Sequence, residues 1–267
     1  MDLGWLVEAA EITAWADLVR AAPAGITDAL GLEVCELGAG IGLMARHFDA
    51  VEFNRVMGVG LTRPATRADL HEIAGAYRPL GHTRAWLQLS PEAEPVDTLP
   101  ALLSEAGLQR APRDWVKMAR QTVDPPLPQT ELEIIEAEPA DGAVFGATVC
   151  LGYGLPPELS PWLAALVGRP DWRCYLALDD RGPVAAAGLY LSEHAGWLGM
   201  AATRADRRRR GAQSALLAQR IADTHRTGRL WAVTETGAPV GREPSPSYNN
   251  MQRAGFTLVH RRANYLI

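Results

Sequence analysis

Gly196-Trp-Leu-Gly-Met-Ala-Ala-Thr203, Arg204-Ala-Asp-Arg-Arg-Arg-Arg210 and Gly211-Ala-Gln-Ser214 follow one another without a break, and their reading decides the fold. The first segment is apolar and strand-like. The second is a basic loop, and the third opens a helix after a glycine. That order builds an anion site, because the first amides of a helix have no partner within it and the helix dipole adds partial positive charge at the same end. The four consecutive arginines Arg207–Arg210 beside those amides suit a diphosphate. Charge alone would fit a solvated loop equally well; the position between strand and helix carries the information.

Downstream, Gln213 to Thr227 reads as a helix. Leu217, Ala218, Ile221 and Ala222 keep the three- and four-residue spacing of a buried stripe, which places Gln219, Arg220, Asp223 and Arg226 toward solvent. Arg226 stands in the last turn and Gly228 follows as a cap. Leu230 to Thr234 is a strand, Ser247 to Arg253 a short helix stopped at Gly255, and Phe256 to Ile267 a final strand or strand pair. Upstream, Leu159 to Val167 is helical, with Ser160 as cap and Pro161 in the first turn. The strands Arg173–Leu178 and Val184–Leu191 are joined by the turn Asp179-Asp-Arg-Gly182.

Pro125-Pro-Leu-Pro128 interrupts the chain, since such a run continues neither a helix nor a central strand. The expected division is an N-terminal module at 1–124, a proline-rich linker at 125–131 and a second module at 132–267, whose first strand is Leu132–Glu138. The N-terminal half repeats the order of the second: strand Phe53–Gly60, helix Thr66–Tyr77 with Asp69 completing a capping box, strand Thr83–Leu89, helix Leu99–Ala106. Glu105-Ala-Gly-Leu108 parallels Arg253-Ala-Gly-Phe256, and Gly107 precedes Lys117 by the same 10 residues that separate Gly255 from Tyr265. This pattern reads as a diverged duplication. The N-terminal loop Leu61-Thr-Arg-Pro-Ala-Thr66 has no glycine and less positive charge, so only the C-terminal copy keeps a phosphate cradle.

Composition sets the outer bounds. The chain has 267 residues, 48% of them hydrophobic, enough for a sizeable core, and a net charge of −5 that argues against bulk attraction to nucleic acid. Cys35, Cys150 and Cys174 are far apart and the histidines are scattered, so neither a metal site nor a disulfide framework is indicated. Glu8, Glu11 and Asp17 interrupt the N-terminal apolar residues in a way no signal peptide does. No run reaches the roughly 18 apolar residues of a membrane span. The expectation is a cytoplasmic protein with no membrane and no nucleic-acid partner, a homodimer remaining open. Val34-Cys-Glu-Leu-Gly-Ala-Gly-Ile-Gly42 has the glycines of a methyltransferase nucleotide loop, but no acidic residue closes a following strand, and a hairpin turn is the simpler reading.

With these residues in place, the chain resembles the GNAT acyltransferase superfamily, whose signature is Arg/Gln-x-x-Gly-x-Gly/Ala between a strand and a helix. Arg208-Arg-Arg-Gly211-Ala-Gln213 fills it, with Gln213 departing at the small last position. A short helix ending in Gly255-Phe256 before a strand is the second signature. The resemblance covers 132–267, and the first half resembles the degenerate copy of tandem members. It implies an α/β (α+β) fold of two GNAT-like modules, each a mixed, mostly antiparallel sheet flanked by helices. It implies acetyl-CoA as cosubstrate and no metal. The backbone of Ala201, Ala202 and Thr203 would pair with the pantetheine arm, and Arg208, Arg209, Arg210, Gly211, Ala212, Gln213 and Ser214 would hold the diphosphate.

The implied activity is N-acetyl transfer to an amine of a small molecule held between the modules. The negative net charge favours a cationic acceptor. A peptide or protein amine, a non-catalytic coenzyme A sensor and a methyltransferase are the alternatives. Many members carry an acidic tyrosine where this chain has Met251, which leaves Ser247, Tyr248 and Asn250 as substitutes, Ser247 also being a plain helix cap. Glu235 is the first candidate for general base, ahead of Glu193 and His194, with a surface role for Glu235 or a water relay as the other readings. The acceptor pocket is expected from the loops Val144–Pro157 and Gly237–Pro246.

Overall fold

A computed structural model describes residues 2–127, 130–241 and 245–267. Part of the expected linker (Pro128, Gln129) and part of the expected acceptor loop (Arg242–Pro244) lie outside the described residues. The N-terminal half gives α1 (Leu3–Arg20), α2 (Ala24–Leu30), β1 (Leu32–Leu37), β2 (Gly40–Ala45), β3 (Arg55–Met57), α3 (Arg67–Tyr77), β4 (Trp86–Leu89), α4 (Leu99–Glu105), β5 (Gln109–Arg110) and β6 (Trp115–Gln121). The C-terminal half gives β7 (Glu133–Glu136), α5 (Gly142–Tyr153), α6 (Ser160–Ala164), β8 (Trp172–Asp179), β9 (Gly182–Leu191), β10 (Ala195–Thr203), α7 (Ala212–Arg226), β11 (Trp231–Gly237), α8 (Pro246–Arg253) and β12 (Thr257–Leu266).

The mixed, mostly antiparallel character is as expected. The strands form one sheet in the order β1-β2-β3-β4-β12-β6-β11-β10-β9-β8-β7, with β5 beside β12. Among the described residues only β3–β4 and β10–β11 pair in parallel, at corresponding places in the two halves. What the sequence did not reveal is that the last strands of the halves change places. β6 pairs with β11 of the other half, from Trp231↔Gln121 to Gly237↔Trp115. β12 pairs with β4, from Ala263↔Leu89 to Leu266↔Trp86, and β6 and β12 pair with each other. The exchange leaves neither β4 nor β11 as an unpaired edge and makes the centre of the sheet a shared element.

Residues Val34–Gly42 form the antiparallel β1–β2 hairpin, turned through the left-handed pair Gly38 (φ 45°) and Ala39 (φ 46°). Such a pair matches the twist of the flanking strands, and a Cβ at Gly38 would stand 2.9 Å from the carbonyl carbon of Asp69. The methyltransferase reading, which needs a strand–loop–helix here, falls with that geometry.

Three other expectations are corrected. The segment starting at Val144 is not a loop: Gly142–Tyr153 is α5, whose glycines permit close helix packing, a Cβ at Gly146 standing 2.9 Å from the Ala164 amide of α6. Arg220 and Asp223 of α7 are not turned to solvent; both are 1% exposed. The apolar stripe of α7 is wide enough to carry them inward, where each finds a partner. Arg220 donates to Leu216 O, Gly188 O and Gly199 O, and Asp223 accepts from the Tyr175 hydroxyl.

Helix α1 is apolar on most of its circumference, the pattern of a buried helix. It is capped by Asp2, which accepts from the Trp5 amide at 3.1 Å. It packs in the same core cluster as Phe145, Trp162, Trp172 and Trp197 of the C-terminal half. Trp162 Nε1 donates to Leu18 O at 2.7 Å. The first helix of the chain is thus part of the second half's interior. Among the described residues no helix is long and apolar enough to cross a membrane.

Candidate active site

The site is created by a splay. β10 and β11 pair only through Ala195↔Trp231, Gly196↔Ala232 and Trp197↔Val233. The Thr234 hydroxyl donates to Leu198 O at 2.8 Å just beyond the last pair. From there β10 continues to Thr203 along β9 while β11 follows β6 to Gly237. The β9 pairing slips between Gly199 and Ala202, with Met200 at φ 50°. A bulge of this kind bends the strand and re-aims its groups. Arg220 pins it: its Nη1 reaches Gly188 O at 3.1 Å and Gly199 O at 3.2 Å, so both strands hang on one buried guanidinium. Burial lowers the Arg220 pKa to about 10, which leaves it charged at neutral pH. Ala201 and Thr203 at the open edge are half-buried. Their backbone faces a gap that an extended ligand fits, as an added strand would.

The loop after β10 turns into α7 through Arg209 (φ 65°) and Gly211 (φ 80°). A left-handed arginine costs roughly 1–2 kcal/mol, and such strain is characteristic of ligand-holding loops. Gly211 caps α7 with no side-chain hydrogen bond, and the first bond of the helix runs from the Ala215 amide to Gly211 O. The amides of Ala212, Gln213 and Ser214 are therefore left for an anion.

The arginines divide into two pairs. Arg207 (2.6 Å) and Arg210 bind Asp179 at the β8–β9 turn. These contacts, that of Arg210 first, hold the Asp179 carboxyl down at about 2. Arg208 and Arg209 are exposed and form no ion pair among the described residues. Gln213, the departure from the small-residue rule, is turned aside: its Nε2 donates to Thr203 Oγ1 at 3.1 Å, tying the helix start to the end of β10.

The N-terminal loop that the repeat pattern matches to it is closed. Thr66 and Asp69 form a reciprocal capping box on α3, with the Thr66 amide 2.7 Å from Asp69 Oδ2 and the Asp69 amide 3.3 Å from Thr66 Oγ1. Arg63, the loop's cation, is spent on Asp69 at 2.6 Å. The small cavity beside it, about 170 Å³, also carries Glu92 and Glu94. A carboxylate already sits where a phosphate would bind.

Glu235 lies on β11 within the splay, its side chain 7% exposed. Trp197 Nε1 donates to its Oε2 at 2.8 Å, and Lys117 Nζ stands 3.7 Å from the same oxygen. Burial, reinforced by the charge of Glu11, raises its pKa to about 7; Lys117, Arg262 and the Trp197 bond pull the other way. The surface reading of Glu235 is thereby excluded. Tyr153, at the end of α5, is half-exposed, and its hydroxyl lies by the Ala201 amide of β10. Packing around that hydroxyl pushes its pKa up to about 12. The sequence offers no signal for Tyr153, because Val144–Pro157 reads as a loop there.

The other candidates stand apart from this group. Ser247 is exposed in the first turn of α8. Asn250 Oδ1 accepts from Arg253 one turn on. Met251 and Tyr248 pack against the core. Glu193 and His194 lie in the β9–β10 turn and pair at 3.5 Å, largely exposed. Among the described residues no group of three or more His, Cys, Asp or Glu is placed to hold a metal ion.

No family model and no curated protein sequence matches the chain. Solved structures do. A GCN5-related N-acetyltransferase from Kribbella flavida superposes with a TM-score of 0.64 over 97% of this chain and 95% of its own, at 18% identity. A tandem GNAT protein from the clavulanic acid biosynthesis pathway does so with a TM-score of 0.57 over 98% and 94%, at 14% identity. A putative GNAT-family acetyltransferase from Novosphingobium aromaticivorans gives 0.53 over 93% and 97%, at 16% identity. The chain therefore has the GNAT fold, along its whole length rather than in the C-terminal half alone.

Proposed function

We propose that this protein transfers an acetyl group from acetyl-CoA to an amine of a small molecule. The observation that carries the reading is the conjunction of an uncapped α7 with a buried carboxylate of pKa about 7 in the adjoining β10–β11 splay. The same elements accommodate the cosubstrate: the Ala201–Thr203 edge for its extended arm, and Arg208, Arg209 and the Gly211–Ser214 amides for its diphosphate. Bound there, its thioester supplies an activated acetyl group. Positioning of the amine against it accounts for much of the rate.

Glu235 takes the proton that an ammonium must lose before attack, a task suited to a base titrating near working pH. Trp197 holds the carboxylate that does so, by the indole bond at 2.8 Å. The two halves, 1–124 and 132–267 about the 125–131 linker, are in this reading copies of one module. Only the second binds coenzyme A, because α3 is closed by its own Thr66–Asp69 box.

Titration calorimetry with coenzyme A, followed by a thiol-release screen over aminoglycosides, polyamines, amino acids and peptides, tests the reading. Absence of coenzyme A binding would overturn it; turnover confined to peptides would redirect it to a peptide acceptor. One observation favours a second reading, that of a coenzyme A sensor: among the described residues Ser247 and Asn250, the candidate acids, form no hydrogen bond with Glu235, Ser247 being exposed and Asn250 bonded to Arg253. Tight binding with no thiol release on any amine would select the sensor.

A further inference from the structure

Glu235 and Lys117 occupy opposite positions in the β11–β6 ladder, which sets their side chains on one face. Lys117 Nζ is bonded to Glu11 Oε2 of α1 and stands 3.7 Å from Glu235 Oε2. Glu11 is itself gripped by Arg262, at 2.5 Å and 3.0 Å, and lies 3.6 Å from Arg55. None of these side chains is more than 7% exposed. A cluster of this kind would serve merely to fasten α1 to the sheet, and then Glu235 would be a bystander. Against that, Glu235 is the member that faces the splay, and among the described residues its hydrogen bond comes from Trp197 on the splayed strand.

We infer that Lys117, fixed in place by Glu11, is a positioning residue for Glu235, so that α1 and β6 of the N-terminal half complete the catalytic base of the C-terminal half. This rests on the reading of Glu235 given above. It assigns the N-terminal half a working role although it binds no coenzyme A in that reading. The exchange of β6 into the partner half's sheet is what brings Lys117 there.

The charges that face Glu235 come from several elements: Glu11 on α1, Lys117 on β6, Arg262 on β12 and Arg55 on β3, with the Tyr153 hydroxyl and the Trp197 indole completing the surround. Glu11 opposes ionisation of Glu235 and Lys117 favours it. Removing them should therefore move the base in opposite directions, a signature that a purely structural cluster does not carry into the pH profile of turnover.

The test uses the full chain carrying E11Q, K117M or K117R. The readouts are the pH profile of kcat/KM for the amine that the screen shows to turn over best, and coenzyme A calorimetry as the check on folding. The acid limb is expected to fall by about one pH unit in E11Q and to rise by about one in K117M, a tenfold change in activity on that limb. K117R should return it toward the wild type. The same shifts are read without turnover from the difference in unfolding free energy between each variant and its E235Q double across pH. E11Q, the isosteric change, carries the test if K117M does not fold. Variants that bind coenzyme A but leave the acid limb unmoved would overturn this inference alone, even if the unfolding linkage shifts, since a bystander Glu235 would show that shift too. A wild-type chain that binds no coenzyme A would instead overturn the functional reading.

Discussion

Glu235→Gln isolates the property on which the proposed chemistry depends. Glu235 titrates at about 7 in the folded protein against an ordinary 4.5, and its side chain is only 7% exposed. The group is raised, so the native state keeps a proton that the unfolded chain has already lost. Stability must then fall as pH rises from about 4.5 to about 7, and stay level above that window. The difference of about 2.5 pH units corresponds to about 3 kcal/mol at roughly 1.4 kcal/mol per unit.

Glutamine is neutral throughout and keeps the shape, so E235Q should gain about 3 kcal/mol over the wild type between the two ends of the window. In a chain of this size that is a rise of about 6–10 °C in the relative melting temperature. Urea unfolding of both proteins at several pH values from about 5 to about 8 measures it without any acceptor. The same variant should lose about 10²–10⁴-fold in turnover, the range a general base contributes. A stability difference that is flat with pH would refute the buried-base argument at its root.

Other consequences follow from the loop and the caps. R208A and R209A should each weaken coenzyme A binding by about tenfold or more, as loss of a charge-assisted contact of about 1.5–3 kcal/mol does, and flatten its dependence on salt; calorimetry at two ionic strengths checks both. R207A should instead release Asp179 and lower thermal stability while leaving affinity within about twofold, since its partner is the β8–β9 turn. G211V forces a β-branched residue into φ 80° at the head of α7 and should abolish coenzyme A binding while far-ultraviolet dichroism stays near wild type, the backbone cost being roughly 1–3 kcal/mol. T66A should cost about 1 kcal/mol in chemical unfolding through loss of the α3 cap and leave coenzyme A affinity unchanged.

The stretch from Gly196 to Ser214 was legible because its information is local. Strand alternation, a glycine with positive φ and orphan helix amides are properties of neighbouring residues, and β10, the Gly211 turn and α7 lie within a residue or so of where the sequence put them. The capping box of α3 and the glycine hairpin of β1–β2 were readable for the same reason. Glu235 was found as a carboxylate at the end of an apolar strand, without its environment. The division of the arginines was out of reach, since Asp179 is distant in sequence from Arg207 and Arg210. So was the inward turn of Arg220. Helix α5 was hidden because its glycines, which let it pack closely on α6 (Gly142, Gly146) and on β10 (Gly152), imitate a loop. Glu8 and Glu11, three apart on a mostly apolar helix, are a sequence signal of the same kind: they have to find cations when that helix is buried.

The sequence by itself determined that a strand, a basic loop and a helix opened by Gly211 follow one another in the second half, and that the glycine is missing from the corresponding loop of the first. Local backbone and charge suffice for that. Only the tertiary structure decided that β6 and β12 change places, and with them which charges surround Glu235. Pairing partners of strands are chosen by the whole sheet rather than by either strand. The proton affinity of Glu235 depends on burial and on charges from α1, β6 and β12, which have no proximity to residue 235 along the chain.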